Sequence, residues 1–496
     1  METKEALDYL KNAKWGCGFA DPSDKDAFAE QFFDSVYSPL GPKYKVKHGA
    51  FRDLAADLFT PVTYGGTLYA YDPKTGLYYE AEEEIRACVT KWLDICCTGG
   101  LSDDFHFLPP SSKITWAADE IMKLIRSENV ISGEESPFNH FNGIPVENGV
   151  IIFDENHQPH LISYTPEMLY TVKLAAPLDF EADTSRVLSV LTEWAGEYSC
   201  ALVQAVAQGL LQYLPGMAPL KKTYFLTGPK NSGKTTYLQA VEKTAGRSCV
   251  SHITLQELSE RFNAAELEGK MFNLGDDLSV FTLADCGAFK RISGKEWHSV
   301  EEKYKKRHLA RLTAVHIFTA NKLPKLSRAV ASDDAFWERV CIIPFCGNFT
   351  KSCGFSGQVF SPAFACGLLL LAVQTVSQIL ASGGGLLYEQ DIDEVRNLWE
   401  GESTPLADYL EEATVKDDSG HVEKAALLAG LQEYAKANGL NKSLVPDSIN
   451  ALTREMTRLG YAPYNLGRKK IPCYKGLSWK TECSPSSSGN LAGVVT

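Results

Sequence analysis

The chain has 496 residues, 44% of them hydrophobic, and a formal charge of -13. That length can bury several cores and predicts roughly two to four domains, while the acidic balance excludes a protein that coats nucleic acid with its whole surface and leaves only localised basic sites for such a partner. The 13 cysteines include no CxxC pair of zinc-site spacing, and the start, Met1-Glu2-Thr3-Lys4-Glu5, is charged rather than apolar, so a reducing, cytoplasmic setting is expected.

Residues 1–130 read as an α+β region, with a helix near Phe28–Val36 and a β-hairpin in which Thr67–Tyr71 and Leu77–Tyr79 flank a turn at Asp72–Gly76. In residues 131–218, Ile144–Phe153 carries an Asn-Gly turn leading into strand-like residues, and a helical stretch from Ser185 to Leu214 stops at Pro215-Gly216. Residues 219–350 alternate strand and helix patterns, as a parallel nucleotide-binding sheet of the α/β class requires. Within residues 351–400 the longest apolar stretch, Phe364–Leu380, contains Gln374 and Gln378 and is short for a bilayer span, so a buried helix stopped by Ala381–Gly385 is expected, with no membrane partner. Residues 401–480 read as helices, a basic turn and short strands, and the small, polar residues 481–496 as a disordered tail. There is no tandem repeat.

The most informative stretch is Gly228, Pro229, Lys230, Asn231, Ser232, Gly233, Lys234, Thr235 and Thr236, a full G-x-x-x-x-G-K-[ST] phosphate-binding pattern. Tyr224–Leu226 leads in as a buried strand, and Tyr237–Val241 leads out at helical spacing toward a C-cap at Gly246. In that setting the glycines bring backbone N–H groups onto phosphate oxygens, Lys234 reaches the β/γ-phosphates of ATP, and Thr235 offers its hydroxyl to Mg²⁺.

Downstream residues narrow the chemistry. Met271–Gly275 is an apolar strand followed by Asp276 and Asp277, so Asp276 is the candidate metal ligand and Asp277 the candidate for orienting the attacking water; an acidic surface turn is the bland alternative. Leu312–Ala320 is a second apolar strand ending at Asn321, whose amide suits a sensor of the γ-phosphate and water, or simply starts a turn before Pro324. Arg339, after Asp334–Glu338, is suited to a neighbouring subunit's ATP or to a structural ion pair with Glu338 or another acid. Phe289–Lys295 and Val300–His308 form the densest basic stretch, with Lys303, Tyr304, Lys305 and Lys306 as candidate DNA contacts, or a solvated charged hairpin. In the tail, Ile449, Leu452, Met456 and Leu459 alternate with outward Arg454 and Arg458, ahead of a basic turn containing Arg468, Lys469 and Lys470; a helix and a basic wing suit groove and backbone contacts, and a protein-docking module is the alternative.

In this order the motifs resemble a superfamily 3 helicase of the phage and plasmid replication type, akin to the poxvirus primase-helicases. Gly228–Thr235 resembles its Walker A motif, Phe272–Asp277 its Walker B, Phe289–Gly294 with Val300–Lys305 its B′ segment, Phe318–Asn321 its motif C, and Phe336–Phe345 its arginine-finger segment. Asn148–Val150 with Tyr164–Pro166 resembles the region ahead of the motor, and Thr404–Trp479 the winged-helix tail. The resemblance implies a P-loop AAA+-like parallel-sheet ATPase domain at 219–350, a pre-motor region with a helical collar at 131–218, a helical extension at 351–400 and a winged-helix DNA-binding domain at 401–480. It further implies a hexameric ring on single-stranded and forked DNA, Arg339 acting in trans, a pore hairpin, 3′ to 5′ movement, and primase, initiator or polymerase partners. Two departures stand out: Asp277 occupies a place where relatives often carry Glu, and Glu338 one where they often carry a second arginine. The N-terminal segment lacks an evident paired-Asp metal site, so no primase domain is expected. An ATP-switched origin-binding initiator or loader shares the nucleotide site and tail; a small-molecule kinase is disfavoured by the basic hairpin.

Overall fold

The computed structural model describes residues 31–36, 43–97, 111–133, 136–214, 220–260, 263–278, 281–295, 297–301, 308–347, 349, 357–403, 405–437, 445–467 and 470–480. Its contacts divide the chain into two units, residues 1–178 with 213–217, and residues 179–212 with 218–496.

In the first unit Val62–Tyr64, Thr67–Asp72 and Leu77–Glu80 form an antiparallel meander. The expected hairpin is present, with Tyr71 opposite Tyr78 and Gly76 at φ 76° in its turn. Around it, helices His48–Phe59, Glu82–Cys97 and Ser111–Glu128 bury Phe51, Ile85, Trp92 and Ile121. Of the helix expected near Phe28–Val36, Gln31 and Phe32 are helical, 28–30 lie outside the described residues, and Phe33–Val36 is corrected to a strand paired with Lys43–Val46. The pairing runs antiparallel from Phe33 opposite Val46 to Val36 opposite Lys43. A second meander joins Ile144–Val146, Gly149–Phe153 and Pro159–Ile162, and Asn148 brackets Leu178 from its turn, donating to the carbonyl at 3.0 Å and accepting from the N–H at 2.9 Å.

The second unit opens with α1 (Thr184–Ala195) and α2 (Ser199–Leu210). The single helical stretch expected from Ser185 to Leu214 is broken, because Gly196 sits at φ 55° and turns the chain into a short 3₁₀ segment. The central sheet follows: β1 (Thr223–Thr227), β2 (Val250–Ser251), β3 (Phe272–Gly275), β4 (Val315–Ala320) and β5 (Val340–Pro344). Their spatial order is β2-β3-β4-β1-β5, and every pairing is parallel. All of β1, β3 and β4 is buried, which is why they read as near-continuous apolar runs instead of alternating ones. The register sets Ala320 and Pro344 beside Thr227 and Gly275 beside Phe318, so the carboxyl ends of β1, β3, β4 and β5 reach one rim.

Helix α3 (Lys234–Ala245) leaves β1 through the Gly228–Gly233 loop and ends at the expected cap, Gly246, whose N–H donates to the Glu242 carbonyl at 2.7 Å. Helix α4 (Pro362–Ala381) is long and apolar enough to cross a membrane, yet it packs on α1, α2 and α3 and buries Leu368, Leu369, Ala372, Val373, Val376 and Ile379, as expected of a core helix. On the outer side of edge strand β5, the Gln390 side chain mimics a neighbouring strand, accepting from Ile342 N–H and donating to Ile342 C=O, each at 2.8 Å.

The tail runs α5 (Ile392–Ser403), α6 (Pro405–Ala413), β6 (Thr414–Glu423), α7 (Lys424–Ala437), α8 (Ile449–Arg458), β7 (Pro463–Leu466) and β8 (Ile471–Trp479). Its antiparallel sheet has the order β6-β8-β7, over a core of Leu406, Leu427, Leu431, Leu452, Met456 and Tyr474. Strand β6 escaped the sequence reading because Asp417–Gly420 looks like a turn; the pairing register shifts between Lys416 and His421 to accommodate it. Helix α8 buries Leu452 and Met456 and exposes Arg454 as expected, but Ile449 is exposed because it is the first helical residue after the Ser448 cap.

Candidate nucleotide site

The loop between β1 and α3 closes tightly on its surroundings. Gly228 has φ 137°, and a Cβ there would lie 2.2 Å from the Phe345 carbonyl oxygen; Gly233 has φ 103°, and a Cβ there would lie 2.8 Å from the Trp194 ring. Asn231, at φ 64°, completes the curvature, and its carbonyl accepts from Phe349 N–H at 2.9 Å. Trp194 of α1 also stacks on Phe345 beyond β5 with ring centroids 6.3 Å apart, and meets Tyr237 of α3 edge-on at 6.5 Å.

Inside this loop Lys234 is buried and its ammonium donates to the carbonyls of Gly228 at 2.7 Å and Pro229 at 2.9 Å, to Ser232 Oγ at 3.3 Å and to Asn321 Oδ1 at 3.1 Å. Thr235 Oγ1 donates to Asp276 Oδ1 at 3.1 Å, and the same carboxylate oxygen accepts from Thr319 Oγ1 at 2.5 Å. Asp277, at φ 50°, donates its N–H to Asp276 Oδ1 at 3.0 Å and to Thr319 Oγ1 at 2.8 Å, while its Oδ1 accepts from Asn321 Nδ2 at 3.2 Å. Lys234, Thr235, Asp276, Asp277 and Asn321 thus meet at the rim where β1, β3 and β4 end, the position at which open parallel sheets bind ligands. Pro229, Lys230 and Asn231 form the exposed crest of the loop, and Thr236 is half-buried at the start of α3.

Thr319 was not anticipated as a site residue. Its place two residues before Asn321 carries no pattern of its own; only the register of β3 against β4 brings its hydroxyl to Asp276. Trp194 was missed as well, since nothing local ties α1 to a loop 39 residues later.

The acid pair and Asn321 are exposed, whereas the polar groups beneath them are not. Asn273 donates to His316 Nδ1 at 3.2 Å, and the imidazole lies parallel to the Phe318 ring. Burial first, and the Lys295 charge second, push the His316 pKa down to about 3. A histidine that folds neutral lets the unfolded chain bind more protons between about pH 3 and 6.5, so its stability is complete above pH 6.5 and lost as pH falls toward 3. Between pH 7 and pH 5 this residue is expected to cost about 2 kcal/mol, and His316→Leu is expected to flatten that limb in urea unfolding at the two pH values.

Arg339 lies elsewhere. Its carbonyl accepts from Thr223 N–H at 2.7 Å, so it sits at the amino ends of β1 and β5, about 15 Å of strand from the Gly228–Thr235 loop. The guanidinium donates to the Ala335 carbonyl, and its Nε is buried without a hydrogen-bond partner among the described residues. It lines a cleft of about 220 Å³ with Leu220, Lys221, Lys222, Glu338, Leu386 and Glu389.

The basic stretch forms a hairpin, Trp297–Val300 paired with His308–Arg311. Its candidate contacts Lys303, Tyr304, Lys305 and Lys306 lie outside the described residues, as do Arg468 and Lys469. Lys470 is exposed between β7 and β8 at φ 51°.

A model of a family of unknown function, DUF5906, matches residues 226–339, an interval running from β1 to Arg339. No curated protein matches. Among solved structures, the A-form apo structure of the NrS-1 C-terminal region is similar at 14% identity over 74% of this chain and 90% of that one, with a TM-score of 0.33. An apo structure of NrS-1 residues 305–718 is similar at 12% identity, covering 68% of this chain and 95% of that one, again with a TM-score of 0.33. At that score the likeness carries no argument about fold or activity.

Proposed function

We propose that the chain is an ATP-driven DNA translocase, a replicative helicase of the superfamily 3 type that works as a ring of identical subunits. The observation that carries this reading is the hydrogen-bonded group of Lys234, Thr235, Asp276, Asp277 and Asn321 beside a phosphate-binding loop. The strand order β2-β3-β4-β1-β5, with that loop following β1, supports a P-loop motor domain.

Thr235 Oγ1 and Asp276 are the groups that would hold Mg²⁺. No cluster of three or more His, Cys, Asp or Glu side chains suited to a metal occurs among the described residues, which fits an ion held by one or two protein oxygens and the substrate phosphates. When bound, it neutralises charge on the phosphoryl oxygens. Asp277, which accepts a hydrogen bond from Asn321, orients the attacking water, and Lys234 exchanges its loop carbonyls for phosphate oxygens. Since Arg339 lies at the opposite end of the sheet, it serves the ATP of an adjoining subunit. The basic hairpin grips one DNA strand by its phosphates, and the helix order of the tail, with a three-stranded sheet behind α8, suits a winged-helix DNA-binding module.

Strand displacement from forked DNA tests the assignment: ATP-dependent release of the labelled strand is expected, and DNA binding with no release points to a loader. Mixing Lys234→Ala with Arg339→Ala subunits, each inactive alone, is expected to restore turnover at interfaces that pair an intact loop with an intact arginine. Mixtures no more active than either variant alone would count against action in trans.

A further inference from the structure

Asn321 is the last group of the nucleotide site in chain order, and the residue beside it leaves the site altogether. The Lys322 ammonium lies 2.9 Å from Asp408 Oδ1 and 3.1 Å from Glu411 Oε2, both on α6 of the tail. Burial alone lowers the Lys322 pKa, but the hydrogen bonds its ammonium donates to the two carboxylates outweigh it and the net shift is upward. The next residues have no slack. Leu323 is buried, Pro324 has a fixed φ, and its carbonyl accepts from Trp399 Nε1 of α5 at 2.9 Å. Trp399 in turn packs against Phe225 of β1, Phe336 and Trp337.

Four consecutive residues therefore join the nucleotide rim to two tail helices: Asn321 holds Lys234 and Asp277, Lys322 holds α6, and Pro324 holds α5. We infer that Lys322 is a positioning residue that transmits occupancy of the phosphate site to the tail through Asp408 and Glu411. Phosphate oxygens that take over the Lys234 and Asn321 hydrogen bonds shift Asn321, and a chain pinned at Leu323 and Pro324 passes the shift to the neighbouring ammonium. The coupling is directional in sequence but reciprocal in free energy, so whatever holds α6 also biases the nucleotide site. This inference rests on the proposed ATP site.

Hydrogen exchange of the full chain, with and without a slowly hydrolysed ATP analogue, tests it. In wild type the analogue is expected to slow exchange of amides in Pro405–Ala413 about fivefold or more. In Lys322→Ala that nucleotide-dependent difference is expected to vanish, and affinity for the analogue is expected to fall by no more than the same factor. A merely structural role would loosen α6 equally with and without nucleotide. The exchanged pair Lys322→Asp with Asp408→Lys is expected to restore part of the response. A response retained in Lys322→Ala, or none in wild type, overturns the relay. Lys234→Ala separates the two claims: analogue binding that survives this change overturns the nucleotide site itself, whereas binding lost there alongside an intact response in Lys322→Ala overturns the relay alone.

Discussion

Lys234→Ala is expected to lower ATP turnover by about 10²–10³-fold while leaving the protein folded. The ammonium is bonded at once to the Gly228–Thr235 loop, through Gly228 and Pro229, and to the end of β4, through Asn321. Removing a preorganised donor aimed at developing charge typically costs that factor. The lost partners are two loop carbonyls, the Ser232 hydroxyl and an exposed amide oxygen, and water entering the space left by the side chain can take them up, so thermal unfolding is expected to change little. Turnover within tenfold of wild type, measured by phosphate release, would remove Lys234 from the chemistry.

Trp194→Ala is expected to be the most disruptive single change near the site, costing roughly 3–5 kcal/mol of stability. The indole fills the space between Gly233, Phe345 and Tyr237, beside the Trp194 backbone carbonyl that accepts from Cys346 N–H at 3.3 Å. It therefore sets both the curvature of the phosphate loop and the path of the chain after β5. Where the variant still folds, nucleotide affinity is expected to fall about tenfold or more, because the loop must then be ordered by the ligand. Urea unfolding and nucleotide titration check both parts, and a stability loss below about 1 kcal/mol would show that the loop does not lean on α1.

The site was largely legible in the sequence because its residues follow rules that act over a few positions. The glycine and lysine spacing of Gly228–Thr235, the apolar runs ending at Asp276 and Asn321, and the cap at Gly246 are all local patterns. What was not legible depends on pairing between distant segments. Thr319 gains its role only when β4 aligns with β3, and Trp194 only when α1 crosses the rim. The strand at Phe33–Val36 was misread as helix because four residues cannot display a period against a helical neighbour. The β6 strand hid behind Asp417–Gly420, where a bulge tolerates residues that ordinarily end a strand. Gly196 broke a helix whose apolar content alone gave no reason to stop.

The Gln390 amide has a bearing on how copies of the chain can meet. By occupying both hydrogen-bonding groups of Ile342, it blunts β5, and the opposite margin of the sheet, Val250–Ser251, is only two residues long. Neither border offers a ladder long enough for a foreign strand to join. The proposed ring would then assemble by surfaces lying against one another, which would let adjacent protomers roll and reset with each turnover instead of being stitched into a continuous sheet.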